Sequence, residues 1–219
     1  TINNGFNLDE FSNLGKVELP KSFTLSYVGG FDFDRTPELV LRAISDLISK
    51  GDLIREKITV RFVGPCEIVQ GQPIQLLIDR LGLTSVVQVV ESVPRPDALR
   101  ELLRAHALLL LAGTQRLSIA AKVYEYIASG KPIIAISAPG AVADIIQSTG
   151  TGIVVDHGDL AGATSAIRDL YRQHYEQAPG NADHSAPLAE SALAFSWKTL
   201  GARYAKLIGE TNTPAPNTA

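Results

Sequence analysis

The sequence predicts an α/β protein whose core is an open, doubly wound parallel sheet of about six strands, Rossmann-like and flanked by helices. Short apolar runs alternate with helical patterns along most of the 219 residues. Several of these runs are almost continuously apolar, as strands covered on both faces must be. The composition, 45% hydrophobic and 20% charged, is sufficient for a sizeable core. Strand–helix alternation repeated this often implies parallel strands joined by right-handed crossovers.

Six short runs rich in β-branched residues or leucine are predicted as strands. They span residues 24–28, 58–63, 86–90, 107–111, 132–136 and 152–155. Ligands of open α/β sheets bind beyond the carboxyl ends of the strands, where the strand order reverses. The loops that follow the strands are therefore the places to look for a site. They begin at Gly29, Gly64, Glu91, Ala112, Ser137 and Asp156.

Helical patterns fill the intervals between the predicted strands. The first helix is predicted to have Thr36 as its N-cap, Pro37 at its first helical position and Gly51 as its stop signal. The other helices of this part of the chain are predicted at 73–80, 96–105, 118–129, 141–147 and 160–174.

The ends of the chain differ in composition from its centre. Residues 1–21 contain many turn residues and are predicted to be an interdomain linker, leading into a domain that spans 22–174. Small and polar residues at 175–190 predict a second linker. Residues 191–209 are predicted to form a C-terminal helix. Residues 210–219 contain too few apolar groups to order themselves and are predicted to be a disordered tail. Methionine is absent, so we expect the sequence to begin inside a longer gene product.

Charge and cysteine content exclude several classes of protein. The net charge of −3 argues against a general nucleic-acid or membrane binder. The four histidines show no metal-ligand spacing, so no metal site is predicted, and no apolar run approaches the ~18 residues that a membrane span requires. The single cysteine, Cys66, excludes an intramolecular disulfide and fits a cytoplasmic location. We interpret Cys66 as a small filler of the core rather than a nucleophile.

The first predicted strand runs directly into two glycines. Gly29 and Gly30 would let the backbone approach a ligand closely, although a sharp turn explains them equally well. Arg35 follows just before the first helix, where an arginine can pair with phosphate oxygens. A solvated loop arginine is the alternative interpretation. The spacing matches neither the dinucleotide fingerprint nor a Walker phosphate loop.

The most informative stretch begins the helix after the fourth strand. Ser118 is predicted as its N-cap, and the small residues Ala120 and Ala121 would leave the amides of the first turn open to an anion. Lys122 could add a positive charge there. Glu125, one turn further along, could accept hydrogen bonds from the vicinal hydroxyls of a sugar. A surface Lys–Glu ion pair is the alternative, and the spacing alone does not decide between them.

Residues 122–135, KVYEYIASGKPIIA, are similar to the K-x-[YF]-E-Y-x-A-x-G-[KR]-P-[IV] segment of family-4 (group 1) retaining glycosyltransferases. Shorter pieces of the same family pattern occur in the expected order, and together they cover roughly residues 1–208. These pieces are INNGFN at 2–7, the double-glycine loop with its arginine at 29–35, FVG at 62–64, GTGIVV at 150–155 and FSW at 195–197.

The resemblance implies the two-lobed GT-B fold, in which each lobe is Rossmann-like. The present chain would be the second lobe, which binds a nucleotide-diphosphate sugar as substrate. The missing N-terminal lobe of the same polypeptide would bind the acceptor. No cofactor is implied. The location would be cytoplasmic, or at the inner face of a membrane if the acceptor is lipid-linked.

The resemblance also implies a role for individual residues of the donor site. Glu125 would hold the nucleotide ribose, and Lys122 would hold the diphosphate together with the amides near Ala120 and Ala121. The loop of Gly29, Gly30 and Arg35 would face the donor phosphates. The base would lie near Val90 and Glu91. No catalytic residue is assigned.

One position departs from the family pattern. Leu117 occupies the place of a second glutamate that often contacts the donor sugar, eight residues before Glu125. Leucine cannot accept hydrogen bonds from sugar hydroxyls or stabilise positive charge at the anomeric carbon. The first lobe's acceptor and catalytic contributions are also absent, so we expect this chain alone to bind nucleotide without transferring sugar. A non-catalytic nucleotide-sugar-binding module and a nucleotide-sugar epimerase-like domain are the alternatives.

Overall fold

The sheet of the computed structural model, which describes residues 4–114, 116–117, 119–176, 188 and 190–211, has six parallel strands. These are β1 (Phe23–Val28), β2 (Ile58–Val63), β5 (Val87–Val90), β6 (Ala107–Leu111), β7 (Ile133–Ile136) and β8 (Gly152–Val155). Their spatial order is β5-β2-β1-β6-β7-β8, and every adjacent pair is parallel. Counted along the chain, this is the 3-2-1-4-5-6 order of the Rossmann fold, which confirms the predicted fold class.

Nine α-helices and one 3-10 turn accompany the sheet in the described residues. The helices are α1 (Leu8–Ser12), α2 (Glu38–Ser49), α3 (Ile74–Arg80), α4 (Arg95–Arg104), α5 (Lys122–Ala128), α6 (Ala141–Thr149), α7 (Leu160–Glu176), α8 (Glu190–Leu193) and α9 (Trp197–Thr211), with the 3-10 turn at Arg55–Lys57. No described helix is both long enough and apolar enough to cross a membrane.

Two hydrophobic cores lie on opposite faces of the sheet. Residues of α2, α3 and α7 pack on one face, and residues of α4, α5 and α6 pack on the other. Strand β6 supplies both cores, because successive side chains of a strand point to opposite faces. Leu109 and Leu111 lie in the first core, whereas Leu108 and Leu110 lie in the second. Burial on both faces explains the continuously apolar sequence of this strand.

The predicted cap of α2 is wrong. The helix begins at Glu38 with Pro37 as N-cap, and no side chain caps it. The turn before it is instead held by Asp32, whose Oδ1 accepts hydrogen bonds from the backbone N–H groups of Asp34 (3.3 Å) and Arg35 (3.0 Å). This side-chain turn ends three residues before Glu38, so it orders the loop without capping the helix.

Short elements and element ends differ most from the prediction. A two-stranded antiparallel hairpin, β3 (Ile68–Val69) with β4 (Gln72–Pro73), was not predicted, since two-residue strands show no periodicity. Helix α5 begins at Lys122, later than the predicted 118. The predicted cap Ser118 lies outside the described residues.

The segment around Phe6 packs against the residues between α8 and α9. Phe6 is buried, and its N–H donates to the Phe195 carbonyl at 3.1 Å while its own carbonyl accepts from Trp197 N–H at 2.9 Å. This contact separates α8 from α9, where one continuous helix was predicted. Helix α1 lies within the predicted linker 1–21.

The predicted domain boundaries stay predictions. Helix α7 continues to Glu176 and α9 to Thr211. Most of the predicted second linker, residues 177–187 and 189, and most of the predicted tail, residues 212–219, lie outside the described residues.

Candidate functional site

The strand order reverses between β1 and β6, which are neighbours in the sheet although β2 to β5 separate them in sequence. The loops that leave the carboxyl ends of these two strands therefore frame the crevice in which open α/β sheets bind ligands. The β1–α2 loop carries Gly29, Gly30 and Arg35, and the β6–α5 loop leads to Lys122. Four of the predicted site residues thus meet at the switch point.

The double-glycine loop is tightly packed against its neighbours. Gly29 has φ +141°, and its N–H donates to the Val63 carbonyl at 2.8 Å. A Cβ atom added to Gly29 would collide with Nζ of Lys122, and one added to Gly30 would lie 2.9 Å from Cγ of Pro65. Gly64 is equally constrained, because its added Cβ would lie 2.6 Å from the carbonyl oxygen of Gly29. Close packing within the protein therefore explains why these positions are glycine.

Lys122 points its ammonium group under this loop. Its Nζ donates to the hydroxyl of Tyr27 at 3.0 Å and lies 4.5 Å from the centre of the Tyr27 ring. The Tyr27 hydroxyl in turn donates to the Gly30 carbonyl at 2.6 Å. Burial lowers the pKa of Lys122 to about 8, with a further contribution from the nearby Arg35 cation. The structure thus holds a poorly solvated cation at the switch point, where an anionic ligand would restore its stabilisation.

Two side-chain contacts fix the loops around this cation. The hydroxyl of Tyr126, on α5, accepts from the Val28 N–H at 2.8 Å and is 3.3 Å from the Val28 carbonyl, which joins α5 to the end of β1. The carboxylate of Asp34 accepts from both the N–H (3.2 Å) and the hydroxyl (3.1 Å) of Thr114. Hydrogen bonds from Thr114 hold the pKa of Asp34 below its ordinary value, so this carboxylate is charged at neutral pH.

A cleft of about 140 Å³ opens between the two loops. Its lining includes Asp32, Asp34 and Arg35 from one loop and Gly113 and Ala120 from the other. Arg35 forms an ion pair with Asp32 at 3.3 Å and keeps about a third of its side chain exposed. Exposed pairs of this kind are weak, so a phosphate could displace the Asp32 carboxylate from Arg35.

Glu125 does not pair with Lys122, although both lie in the first turn of α5. Its Oε1 instead accepts from Nη1 of Arg95 at 2.7 Å. Arg95 also makes two hydrogen bonds with the carboxylate of Glu10, from Nε at 3.0 Å and from Nη2 at 2.7 Å. Neither Arg95 nor Glu10 was predicted from the sequence, because 30 and 85 residues separate the partners and no local spacing signals them.

The remaining predicted positions lie around the same edge. Val90 is half-buried at the end of β5, where its carbonyl accepts from the Gly64 N–H at 3.0 Å, and Glu91 is exposed beyond it. Ala121, the N-cap of α5, is also exposed. Leu117 is 92% exposed in the β6–α5 loop. The assignment of the nucleotide base to Val90 and Glu91 stays a prediction.

Cys66 belongs to the packing under the loop. Its side chain is buried, and its thiol donates to the Gly29 carbonyl at 3.1 Å. Burial raises the pKa of this thiol to about 12, so it is not a thiolate at neutral pH. The interpretation of Cys66 as a filler is confirmed. Across the described ranges, there is no group of three or more His, Cys, Asp or Glu side chains placed to hold a metal ion.

Solved structures with similar folds include glycosyltransferases. A glycosyltransferase from Rickettsia africae matches with a TM-score of 0.71 at 15% identity, over 98% of this chain and 57% of that one. Anabaena HepE in complex with UDP matches with a TM-score of 0.67 at 15% identity, over 95% of this chain and 57% of that one. At this level of identity the likeness establishes the fold, which is that of one Rossmann-like lobe of a GT-B protein.

Sequence comparison gives the family. The D-inositol 3-phosphate glycosyltransferase 2 of Catenulispora acidiphila is 29% identical over 206 residues, which are 89% of this chain and 48% of that protein. The chain spans about half the length of the curated relatives it matches. The model of the family described as glycosyl transferases group 1 matches residues 22–173. This match covers more than half of the chain, and the chain therefore belongs to the group 1 glycosyl transferases.

Proposed function

We propose that this chain is the donor-binding lobe of a retaining glycosyltransferase, which moves a hexose from a nucleotide-diphosphate sugar to an acceptor hydroxyl. The N-terminal lobe of the same polypeptide would bind the acceptor. The observation that carries the proposal is the ammonium group of Lys122, half-buried under the double-glycine loop at the switch point of the sheet. A desolvated cation in this position is expected where a ligand brings negative charge.

The proposed contacts follow from the positions of the side chains. Lys122 and Arg35 bind the diphosphate beside the backbone of Gly29 and Gly30, and Glu125 binds the ribose hydroxyls. The base lies near Val90 and Glu91. Backbone amides near Ala120 and Ala121 assist with the diphosphate. Because α5 has only seven residues, the two cations supply more of the electrostatic stabilisation than the helix dipole does.

The role of these cations in transfer is electrostatic. When the bond between the anomeric carbon and the diphosphate oxygen breaks, the leaving diphosphate gains negative charge, which Lys122 and Arg35 stabilise. The acceptor oxygen forms the new bond to the anomeric carbon, and its proton passes to the leaving diphosphate oxygen, so no acid or base of this lobe is required for that step. The acceptor contacts belong to the other lobe, so this chain alone is expected to bind the nucleotide without turnover.

Leu117 favours one alternative. An exposed leucine replaces the carboxylate that often faces the donor sugar in this family, as expected of a lobe that binds a nucleotide sugar without reacting it. The two functions differ in the complete polypeptide. A transferase releases nucleoside diphosphate when donor and acceptor are both supplied, whereas a binding module does not.

Since a curated relative is named for D-inositol 3-phosphate, a polyol phosphate is the first acceptor to test. A cytoplasmic location, at the inner membrane face for a lipid-linked acceptor, belongs to the same proposal.

Nucleotide binding by this chain can be measured by thermal unfolding against UDP, GDP and ADP. UDP comes first, because a structurally similar protein was solved with UDP. A nucleotide present at about 100 times its dissociation constant is expected to stabilise the chain by about 2.7 kcal/mol. The substitution Glu125→Ala should weaken the response by removing the ribose contact. If no nucleoside diphosphate changes the unfolding temperature, the proposed function is wrong.

The pH dependence of binding follows from the pKa of Lys122. That pKa is about 8 in the free chain, so the ammonium form that attracts the diphosphate predominates at pH 7 and is lost as the pH rises past 8. The diphosphate of the ligand stays fully ionised in this range, since the second phosphate pKa is about 6. Affinity for UDP should therefore fall above pH 8 by at most about tenfold per pH unit. Calorimetric titration from pH 7 to 10 measures the slope; a flat profile would exclude Lys122 as the diphosphate ligand.

A further inference from the structure

Arg95 links two carboxylates that lie far apart in the sequence. It is the first residue of α4, and its guanidinium donates through Nη1 to Glu125 and through Nε and Nη2 to Glu10. The two hydrogen bonds with Glu10 use the planar fork of the guanidinium, a geometry that fixes the arginine in orientation as well as position. The hydrogen bonds that Arg95 donates to Glu10 and Glu125 raise its pKa above its already high value. The fork therefore holds a permanent cation directly against Glu125.

We propose that Arg95 is a positioning residue for the nucleotide ribose: it orients the carboxylate of Glu125, and Glu10 orients Arg95. The proposal rests on the function proposed above, in which Glu125 accepts hydrogen bonds from the ribose hydroxyls. An ionised carboxylate can accept about four hydrogen bonds. Arg95 donates one of them to Oε1, so the carboxylate keeps the capacity to accept two hydroxyl groups of a ribose.

The position of Glu10 depends on the N-terminal segment. Helix α1 is only five residues long, and Asn7 caps it by accepting the Asp9 N–H at 3.1 Å. The segment is fixed to the rest of the chain by the two backbone hydrogen bonds of Phe6 with Phe195 and Trp197. Glu10 thus links the segment that precedes the sheet to Glu125 through Arg95. A displacement of α1 would remove one side of the fork and leave Glu125 less well oriented.

Stability alone does not explain this arrangement. The side chain of Arg95 is 56% exposed and that of Glu125 26% exposed, and ion pairs at such sites add little to folding free energy. Removing the hydrogen bonds of Arg95 to Glu10 and Glu125 is therefore expected to affect ligand binding. The effect should depend on whether the ligand carries ribose hydroxyls, because a general loss of positive charge weakens every nucleoside diphosphate equally.

The test compares the affinities of the 219-residue chain for UDP and for 2′,3′-dideoxyuridine diphosphate. Arg95→Ala is expected to weaken UDP binding about tenfold, a change of about 1.4 kcal/mol, and to change binding of the dideoxy nucleotide less than about twofold. Glu10→Gln should show the same selectivity with a smaller effect. Arg95→Lys, which keeps the charge without the fork, should recover only part of the affinity for UDP. Arg100→Ala is the matched control, since Arg100 lies on the same helix and pairs with Asp97 at 2.7 Å.

The outcomes separate this inference from the proposed function. If the unmodified chain binds none of the nucleoside diphosphates, the proposed function fails. If it binds UDP, and Arg95→Ala weakens both nucleotides equally, the positioning role is wrong. Unchanged binding also overturns it. Tighter binding of UDP would mean that Arg95 competes with the ribose for Glu125. If Arg95→Ala does not fold, Arg95→Lys and Glu10→Gln decide by the same comparison.

Discussion

Replacing Lys122 by methionine is expected to weaken UDP binding on the order of 100-fold. The same substitution is expected to stabilise the nucleotide-free chain against unfolding. Hydrogen bonds between charged groups contribute about 1.5–3 kcal/mol each, so losing the ammonium removes a large share of the affinity. The gain in stability arises because burial lowers the pKa of Lys122 from 10.5 to about 8. This shift corresponds to about 3 kcal/mol of unfavourable free energy in the charged state, which methionine would not carry.

The net gain is smaller than that, because methionine also loses the contact with the Tyr27 ring, worth about 1 kcal/mol. We expect the free energy of unfolding at pH 7 to rise by about 1–2 kcal/mol. The sign can be checked against pH. The folded pKa lies below the unfolded one, so the unfolded chain binds the proton more strongly and the unmodified chain becomes more stable between about pH 8 and 10.5. The advantage of Lys122→Met should shrink over the same range.

Lys131 offers a matched control for this experiment. It is 5% exposed, and burial lowers its pKa to about 8 as well. It lies before β7, at the amino end of the sheet, whereas the proposed site lies at the carboxyl ends. Lys131→Met should therefore raise stability without changing the affinity for UDP. Chemical denaturation and calorimetric titration of both variants give the two quantities. Equal UDP affinities for the two variants would contradict the role of Lys122.

Gly64→Ala is expected to destabilise the chain by about 3 kcal/mol. Gly64 has φ +123°, which is unfavourable for alanine, and the new Cβ would lie 2.6 Å from the carbonyl oxygen of Gly29. Backbone atoms cannot move aside as a flexible side chain can, so the Gly29 loop must shift and UDP binding should weaken as well.

Gly51→Ala is the control that separates backbone strain from the steric clash of the added Cβ. Gly51 also has a positive φ, +77°, but nothing lies within 4 Å of an added Cβ. Only the backbone preference is lost there, at a cost of about 1 kcal/mol. Urea denaturation of both variants measures the difference. A similar loss at the two positions would show that the Gly29 loop is more compliant than its packing suggests.

The apolar strands were predictable from sequence because their signal is local. Strand β6 is apolar throughout since both of its faces are buried, and the positions of β2 and β8 agree with the prediction residue for residue. The doubly wound parallel sheet followed from strand–helix alternation, and the loops after Val28 and Leu111 were among the six predicted places for a site. Short-range patterns and the topology rule were sufficient to bring Gly29, Gly30, Arg35 and Lys122 to one edge.

Contacts between distant segments were not predictable in the same way. The sequence spacing placed Lys122 and Glu125 on one turn of a helix and allowed an ion pair between them. In the structure Lys122 turns toward the aromatic ring of Tyr27, and Glu125 turns toward Arg95. Each choice depends on side chains from other strands and helices, which helix periodicity does not contain. Thr36 was predicted as an N-cap from its residue type and the proline after it, but no side chain caps α2 in the structure.

The most direct measurement for the central claim is a crystal structure of this chain soaked with UDP. The proposed function predicts that the diphosphate lies over the Gly29–Gly30 loop, with its oxygens paired to Nζ of Lys122 and the guanidinium of Arg35. It also predicts that the ribose hydroxyls donate to Glu125 while Arg95 keeps its hydrogen bond to the same carboxylate. UDP bound away from the β1 and β6 loops, or with its ribose remote from Glu125, would contradict the account.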